Sequence, residues 1–249
     1  MKFDKLKDMH DQRTALITGG AKRVGRAIVE RLAKAGFRVL FTFRHSGADA
    51  GSVANQITSA GGIADCLQVD LESADAVATI AAWVRATTSR LDVLVNNASL
   101  YLPDREANLI ELSRRHQRVN FEVPLQLTHT LSPLLKGARG HVVNMLDVMA
   151  EKPMPRYATY CASKAALANA TLGLARELAP EVTVNGIAPG VVDWPDDMPL
   201  EDREKYLLKV PLRRAGTPQD AANLVHFLAT EGTYITGQSI RLDGGRSIA

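Results

Sequence analysis

Seven short apolar runs alternate with longer stretches of helical periodicity along this chain, and that alternation restricts its fold more than any other feature. The runs are TALIT (14–18), FRVLFTF (37–43), GIADCLQVD (62–70), LDVLVNN (91–97), GHVVNML (140–146), VTVNGIA (182–188) and TGQSIRL (236–242). Each has the length and side chains of a buried strand, and each gap is long enough for a crossover helix. Strands joined in that way pair in parallel. The spacers agree: VGRAIVERLAKAG (24–36) has helical spacing, 73–89 repeats Ala, Val, Ile and Trp on one side, 156–179 is rich in Ala and Leu until Pro180, and 217–230 reads as a last helix. No Gly/Ser-rich or Pro-rich linker, repeat or low-complexity tract divides the series. At 249 residues a single large core is within reach, so one doubly wound α/β domain over 1–249 is expected, with 1–13 as an N-terminal extension.

Composition narrows the partners. With 46% hydrophobic and 23% charged residues, disorder and fibrous structure are excluded. The net charge is only +3 and the Lys and Arg are scattered, so nucleic acid is not an expected partner. Cys66 and Cys161 have neither CxxC nor Cys/His metal spacing, which points to a reducing compartment with no disulfide framework and no metal. MKFDKLKDMHDQR lacks the apolar run of a signal peptide, and no segment approaches the ~18 apolar residues of a membrane span. A cytoplasmic, soluble protein is expected.

TGGAKRVG (18–25) stands between the first strand and the first helix, the context that turns a glycine pattern into a dinucleotide site. Gly19 permits the tight turn, Gly25 permits close helix packing, and the helix N-terminus offers free N–H groups to a pyrophosphate. Lys22, Arg23 and Arg26 add positive charge there. After the second strand, where NAD-binding proteins place a carboxylate for the ribose hydroxyls, the chain reads Thr42-Phe43-Arg44-His45-Ser46. A carboxylate would repel a 2′-phosphate, whereas Arg44 together with Arg23 can hold one through charge-assisted hydrogen bonds. NADPH is therefore expected over NADH; the competing reading of Arg44 is a solvated loop arginine.

Tyr160 and Lys164, four residues apart, share one face of a helix. A neighbouring ammonium favours a phenolate, and lowering a tyrosine from a pKa of about 10 by two or three units takes only about 3–4 kcal/mol. That would tune a proton donor towards its operating pH. The irregular stretches 98–107 and 190–212 contain Pro103, Pro189, Pro195, Pro199 and Pro211 and follow predicted strands, so they are the candidate substrate walls.

TGGAKRVG, LVNNAS (94–99), Asn120, YCASK (160–164), VNGIAPG (184–190) and ITGQSIRLDGG (235–245) together resemble the short-chain dehydrogenase/reductase family over nearly the whole chain. The resemblance implies a Rossmann-type parallel sheet of about seven strands in the order 3-2-1-4-5-6-7, helices on both faces, and an Asn-Ser-Tyr-Lys catalytic group. Asn120, Tyr160 and Lys164 match, with Asn120 supporting the lysine through a water or backbone contact. The serine does not match: thirteen residues before the tyrosine stands Asp147. An ionised carboxylate opposes the oxyanion that develops in ketone reduction. In reduction of a C=N bond a proton goes to nitrogen, and a carboxyl bonded to Tyr160 could supply or relay it.

Arg23 in place of the family's middle glycine, Ser99 in NNAS, and Asp147 resemble, as a set, the pteridine reductases, including the bacterial dihydromonapterin-reducing type. That likeness puts Tyr101 where an aromatic ring stacks on the pterin; a loop anchor is the alternative. It puts Arg23 and Ser99 at cofactor phosphates or the pterin, Arg44, His45 and Ser46 beside the cofactor, and Asp70 near its adenine. Asn97 lines the cofactor groove, Pro189 and Gly190 border the nicotinamide, and Tyr160 and Lys164 serve cofactor as well as catalysis. Trp194 is read as either a lid residue or a packing anchor. The expected activity is NADPH-dependent reduction of a dihydropterin (dihydrobiopterin, dihydromonapterin or dihydrofolate). The alternatives are a carbonyl reductase, such as a 3-oxoacyl-carrier-protein reductase, and a non-catalytic NADPH sensor. A homotetramer assembled through 166–179 is also implied.

Overall fold

Thr14–Ile17 is buried at all four positions, so a strand here must be covered on both faces and paired on both edges. It forms β1, parallel to β2 (Arg38–Phe43) on one side and β4 (Val93–Asn96) on the other. β3 (Ala64–Gln68) extends the sheet beyond β2, while β5 (His141–Met145), β6 (Thr183–Pro189) and β7 (Ser239–Leu242) follow β4. Among the described residues of this computed structural model, 12–104, 108–194 and 198–249, these strands make one seven-stranded parallel sheet in the order β3-β2-β1-β4-β5-β6-β7. The N-terminal extension up to residue 11, and Pro195 in the second substrate wall, lie outside the described residues.

Alternation within β1 divides the two faces of the core, as a period of two requires. Ala15 and Ile17 pack with α1 (Arg23–Lys34), α2 (Gly47–Ser59) and α8 (Pro218–Thr230). Leu16 packs on the other side with α3 (Ala76–Thr87), α5 (Val123–Ala138) and α6 (Ala158–Leu178). The expected strand and helix segments are present with ends shifted by a few residues. One expectation is corrected: the stretch 190–212 is not irregular throughout, because Leu200–Leu208 forms helix α7. No residue of α7 is buried, so it lacks the apolar stripe by which a helix is read from sequence. Among the described residues no helix is long and apolar enough to cross a membrane.

The order of strands reverses between β1 and β4, and the crevice outside their carboxyl ends is where a doubly wound sheet binds ligands. A polar ladder lies beneath it. Asn96 and Asn144 are register partners on β4 and β5; the Asn96 amide donates to Asn144 Oδ1 at 2.8 Å, and the Asn144 amide donates to Thr171 Oγ1 on α6 at 2.9 Å. All three side chains are buried; without Asn144 the Asn96 amide keeps only the Thr128 hydroxyl at 3.4 Å, and Thr171 Oγ1 keeps only its bond to the Leu167 carbonyl at 2.8 Å. Asn144→Ala is expected to cost about 1–3 kcal/mol in all. For a domain of this size each kcal/mol lowers Tm by about 2–4 °C, so a melt shifted by less than ~2 °C would overturn the ladder's role.

Candidate active site

β5 ends at Met145, and two residues on Asp147 caps the short 3-10 turn Val148–Ala150, its Oδ1 accepting the Met149 N–H at 2.8 Å. Asp is suited to this capping position, and the cap fixes the carboxyl so that Oδ2 points at the start of α6. There it accepts the Tyr160 hydroxyl at 2.8 Å. Lys164 lies one turn further along α6, buried, and its Nζ donates to the Met145 carbonyl at 2.8 Å.

These contacts revise the expected ionisation. Burial pushes the Tyr160 phenol well above its ordinary range, and the charge of Asp147 and its hydrogen bond push it further; a hydrogen bond from Ser99 acts the other way. Burial also raises Asp147, against the Met149 N–H, the phenol and the Lys164 charge. Lys164 is brought down to about 8 by burial, opposed by Asp147. The expectation that Lys164 lowers the phenol is therefore overturned in this state. Its ammonium bonds the Met145 carbonyl and lies 5.9 Å from the Tyr160 ring centre, while the charge that touches the phenol is negative. Tyr160 and Asp147 form one coupled, proton-retaining unit.

Asn120 is buried in a π-turn, Arg118–Glu122, between α4 (Leu109–Gln117) and α5. Its Oδ1 accepts from the Leu100 N–H at 2.8 Å and from Ser99 Oγ at 3.1 Å. Its amide donates to the Leu100 carbonyl at 2.9 Å and Ser163 Oγ at 3.0 Å. These bonds occupy the amide's donors and its oxygen. Its side chain thus ties the segment after β4 to α6. Ser163, which sequence reasoning passed over, completes the tie by donating to the Tyr160 carbonyl at 2.6 Å. The signal was available: a small polar residue inside the buried face that carries Tyr160 and Lys164.

Tyr101 is partly exposed, stacked on Tyr157 (ring centres 4.6 Å, interplanar angle 9°) and edge-on to Tyr160 (4.8 Å, 82°). Sequence reasoning missed Tyr157, which already covers one face of the ring expected to receive a substrate. The same wall is tied to α6 by Asp104, which accepts the Ala158 N–H at 2.6 Å and the Thr159 hydroxyl at 2.5 Å. Thr159 Oγ1 meets Nδ1 of the buried His116 at 2.9 Å. Burial pushes His116 below its ordinary value, and its Nε2 faces the Leu102 N–H at 3.4 Å, the arrangement of a neutral ring.

At the glycine turn, Gly19 has φ +70°, and a Cβ on Gly25 would lie 2.0 Å from the Gly19 carbonyl oxygen. Both glycines are therefore required by the turn itself. The Asn97 amide donates to the carbonyls of Thr18 and Gly19 at 2.9 and 3.0 Å, so Asn97 holds the turn closed besides lining the groove's base. Arg23 takes φ +52°, a conformation that favours the glycine it replaces. Its guanidinium meets Asp193 Oδ2 at 2.5 Å and the carbonyls of Asp193 and Trp194 at 3.2 and 3.4 Å. A left-handed non-glycine residue costs about 1–2 kcal/mol. Arg23→Gly is thus expected to hold or raise Tm while weakening NADPH binding; a variant that binds NADPH as tightly as wild type would remove Arg23 from the site.

The positive charge read around the cofactor is not free. Lys22 pairs with Asp49 at 3.0 Å, Arg26 with Glu30 at 2.7 Å, and Arg44 with both Asp70 and Glu72 at 2.9 Å. Arg23 and Arg44 therefore bond different carboxylates and do not converge in this structure. Asp70, expected at an adenine, contacts Arg44. No carboxylate lies within 42–46, but the loop after β3 brings two. His45 is exposed and Ser46 partly so, at the start of α2, where Ser46 makes no side-chain cap.

Pro189 ends β6, and the Gly190 N–H donates to the Leu242 carbonyl at 3.0 Å. Tyr206 on α7 accepts the Val191 N–H at 3.1 Å, and Trp194 packs edge-on against it at 5.5 Å with the Arg203 guanidinium 5.6 Å away. Trp194 is thus a packing anchor in this state. Tyr206 escaped notice because α7 did.

The family model described as enoyl-(acyl carrier protein) reductase matches residues 19–247. Among curated proteins, the chain is 33% identical over 238 residues to a dihydromonapterin reductase of Shigella flexneri, covering 94% of this chain and 96% of that one. It is 31% identical over 245 residues to the dihydromonapterin reductase of Enterobacter sp. (strain 638), covering 95% and 98%. Among solved structures it superposes with TM-score 0.89 and 38% identity on FolM alternative dihydrofolate reductase 1 from Brucella canis complexed with NADP, covering 97% and 96%. The corresponding protein from Brucella suis, also with NADP, gives 0.88 and 37%, covering 97% of each chain.

Proposed function

Because the chain belongs to the short-chain dehydrogenase/reductase family, we propose that it is an NADPH-dependent pteridine reductase that converts a dihydropterin to its tetrahydro form. The observation that carries this reading is the Asp147–Tyr160 hydrogen bond at 2.8 Å, at the position where ketone-reducing relatives are expected to have serine. The names of the curated relatives and the NADP-bound structural neighbours support it.

The residues present fit a dinucleotide. The Gly19–Gly25 turn has no room for a Cβ at Gly25, Arg44, His45 and Ser46 stand at the end of β2, and Pro189 and Gly190 end β6. Gly19, Gly25, Asn97, Arg23 and Ser99 would hold its phosphates and groove side, Asp70 its adenine end, and Lys164 with Tyr160 its nicotinamide ribose. When bound, NADPH supplies the hydride. Tyr160 Oη holds the proton destined for the substrate nitrogen, and the Asp147 carboxyl, taking up a proton from solvent, restores it to the phenol. Lys164, with a pKa of about 8, keeps most of its charge at neutral pH for a ribose hydroxyl. Asn120 holds Ser99 in reach of the substrate, and Tyr101 orients a planar ring by stacking. Arg23 would exchange Asp193 for a cofactor or substrate oxygen.

The residues 1–249 are read as one reductase domain acting in the cytoplasm. Assembly of copies through α6 into a tetramer belongs to the same reading, and light scattering would measure it. The deciding experiment is stopped-flow loss of NADPH absorbance with dihydrobiopterin, dihydromonapterin, dihydrofolate and a 3-oxoacyl thioester. Turnover of at least one dihydropterin without the thioester is expected. No turnover of any dihydropterin overturns the reading.

A further inference from the structure

We propose that Glu72 limits the selectivity of this protein for the 2′-phosphorylated dinucleotide, by binding Arg44 and Arg115 together while cancelling charge that a phosphate would otherwise meet. The inference rests on the reading that Arg44 faces that phosphate.

Four charged side chains from three remote segments meet here. Glu72 Oε1 accepts from Arg44 Nη1 at 2.9 Å. The same carboxylate takes a two-pronged bond from Arg115 on α4, with Nε at 2.7 Å from Oε2 and Nη2 at 3.1 Å from Oε1. Asp70 pairs with the other terminal nitrogen of Arg44 at 2.9 Å and accepts the Glu72 N–H at 3.0 Å, which fixes the loop that carries both acids. The fork from Arg115 holds the Glu72 carboxyl below the usual range, so it is ionised wherever the protein works. The formal charges of Arg44, Arg115, Asp70 and Glu72 cancel.

A 2′-phosphate carries about −1.5 to −2 charges, so it is drawn to Arg44 and repelled by both acids. Removing the Glu72 charge while keeping its shape leaves the cluster one unit positive. The gain acts only on a ligand bearing that phosphate, and salt screens it because the cluster is partly exposed. Arg115 affects the phosphate with the opposite sign: without it, Glu72 loses the cation that offsets it.

The test is competitive binding of 2′,5′-ADP and 5′-AMP to wild type, Glu72→Gln, Arg115→Gln and Arg44→Ala at low and high ionic strength. Glu72→Gln is expected to bind 2′,5′-ADP about fivefold to tenfold tighter, with 5′-AMP unchanged and the gain shrinking in salt. Arg115→Gln is expected to bind 2′,5′-ADP several-fold more weakly, again without change for 5′-AMP. A merely structural role would move both ligands, and both variants, in the same direction, and that result overturns the proposal. If Arg44→Ala weakens 2′,5′-ADP while Glu72→Gln binds it no tighter than wild type, this proposal fails and the reading of Arg44 stands. If Arg44→Ala leaves 2′,5′-ADP affinity at the wild-type level, the reading of Arg44 fails first.

Discussion

Asp147→Asn is expected to lower kcat with a dihydropterin by about 10²–10⁴ while raising Tm at neutral pH. The substitution keeps an Oδ1 that can accept the Met149 N–H, so the cap on the 3-10 turn survives. It puts an amide where Oδ2 accepted the phenol, and an amide neither holds nor returns a proton. The stability sign follows from linkage. Burial raises the native pKa of Asp147 above its ordinary 3.8, so between those two values the native state binds more protons than the unfolded one. Stability present at acid pH is therefore lost as pH rises through that window, and the loss is complete above the native pKa. Asparagine does not titrate and escapes it. Melting curves against pH should show the variant above wild type at pH 7, with the gap closing below 3.8. Wild-type turnover, or a gap that widens towards acid, would remove Asp147 from the role given to it.

Tyr160→Phe is expected to cost a similar factor, about 10²–10⁴ in kcat, with a much smaller loss of NADPH affinity because Lys164 still serves the nicotinamide ribose. Phenylalanine keeps the ring that Tyr101 meets edge-on and leaves the Lys164 contact with Met145 intact, so the loss isolates the hydroxyl. Because the phenol and the carboxyl act as one unit, the double variant should lose little more than the worse single one. Independent, multiplicative losses would show that they do not share the proton. Wild-type turnover should fall as pH rises, since the donor must stay protonated, and Lys164 adds a second alkaline loss as its charge titrates at about 8. Activity that instead climbs steadily through that range would contradict a proton-donating role.

Much of this site was legible before any fold was known. Tyr160 and Lys164 announce themselves by a four-residue spacing, Gly19 and Gly25 by a turn between strand and helix, and Asp147 by standing where a serine was expected. What could not be read was what each of them touches. Lys164 turned to the Met145 carbonyl, Asn120 gave its whole amide to Ser99, Leu100 and Ser163, and Tyr157 closed over Tyr101.

The sequence by itself determined the alternating α/β architecture and the residue types at the site, because strand and helix periodicity are local properties of burial and backbone bonding. Only the tertiary structure decided the charge state of the site and the balance around the cofactor. Arg44 meets acids 26 and 28 positions away, and the phenol meets a carboxyl 13 positions before it, so their energies depend on through-space distance and desolvation that no local pattern encodes.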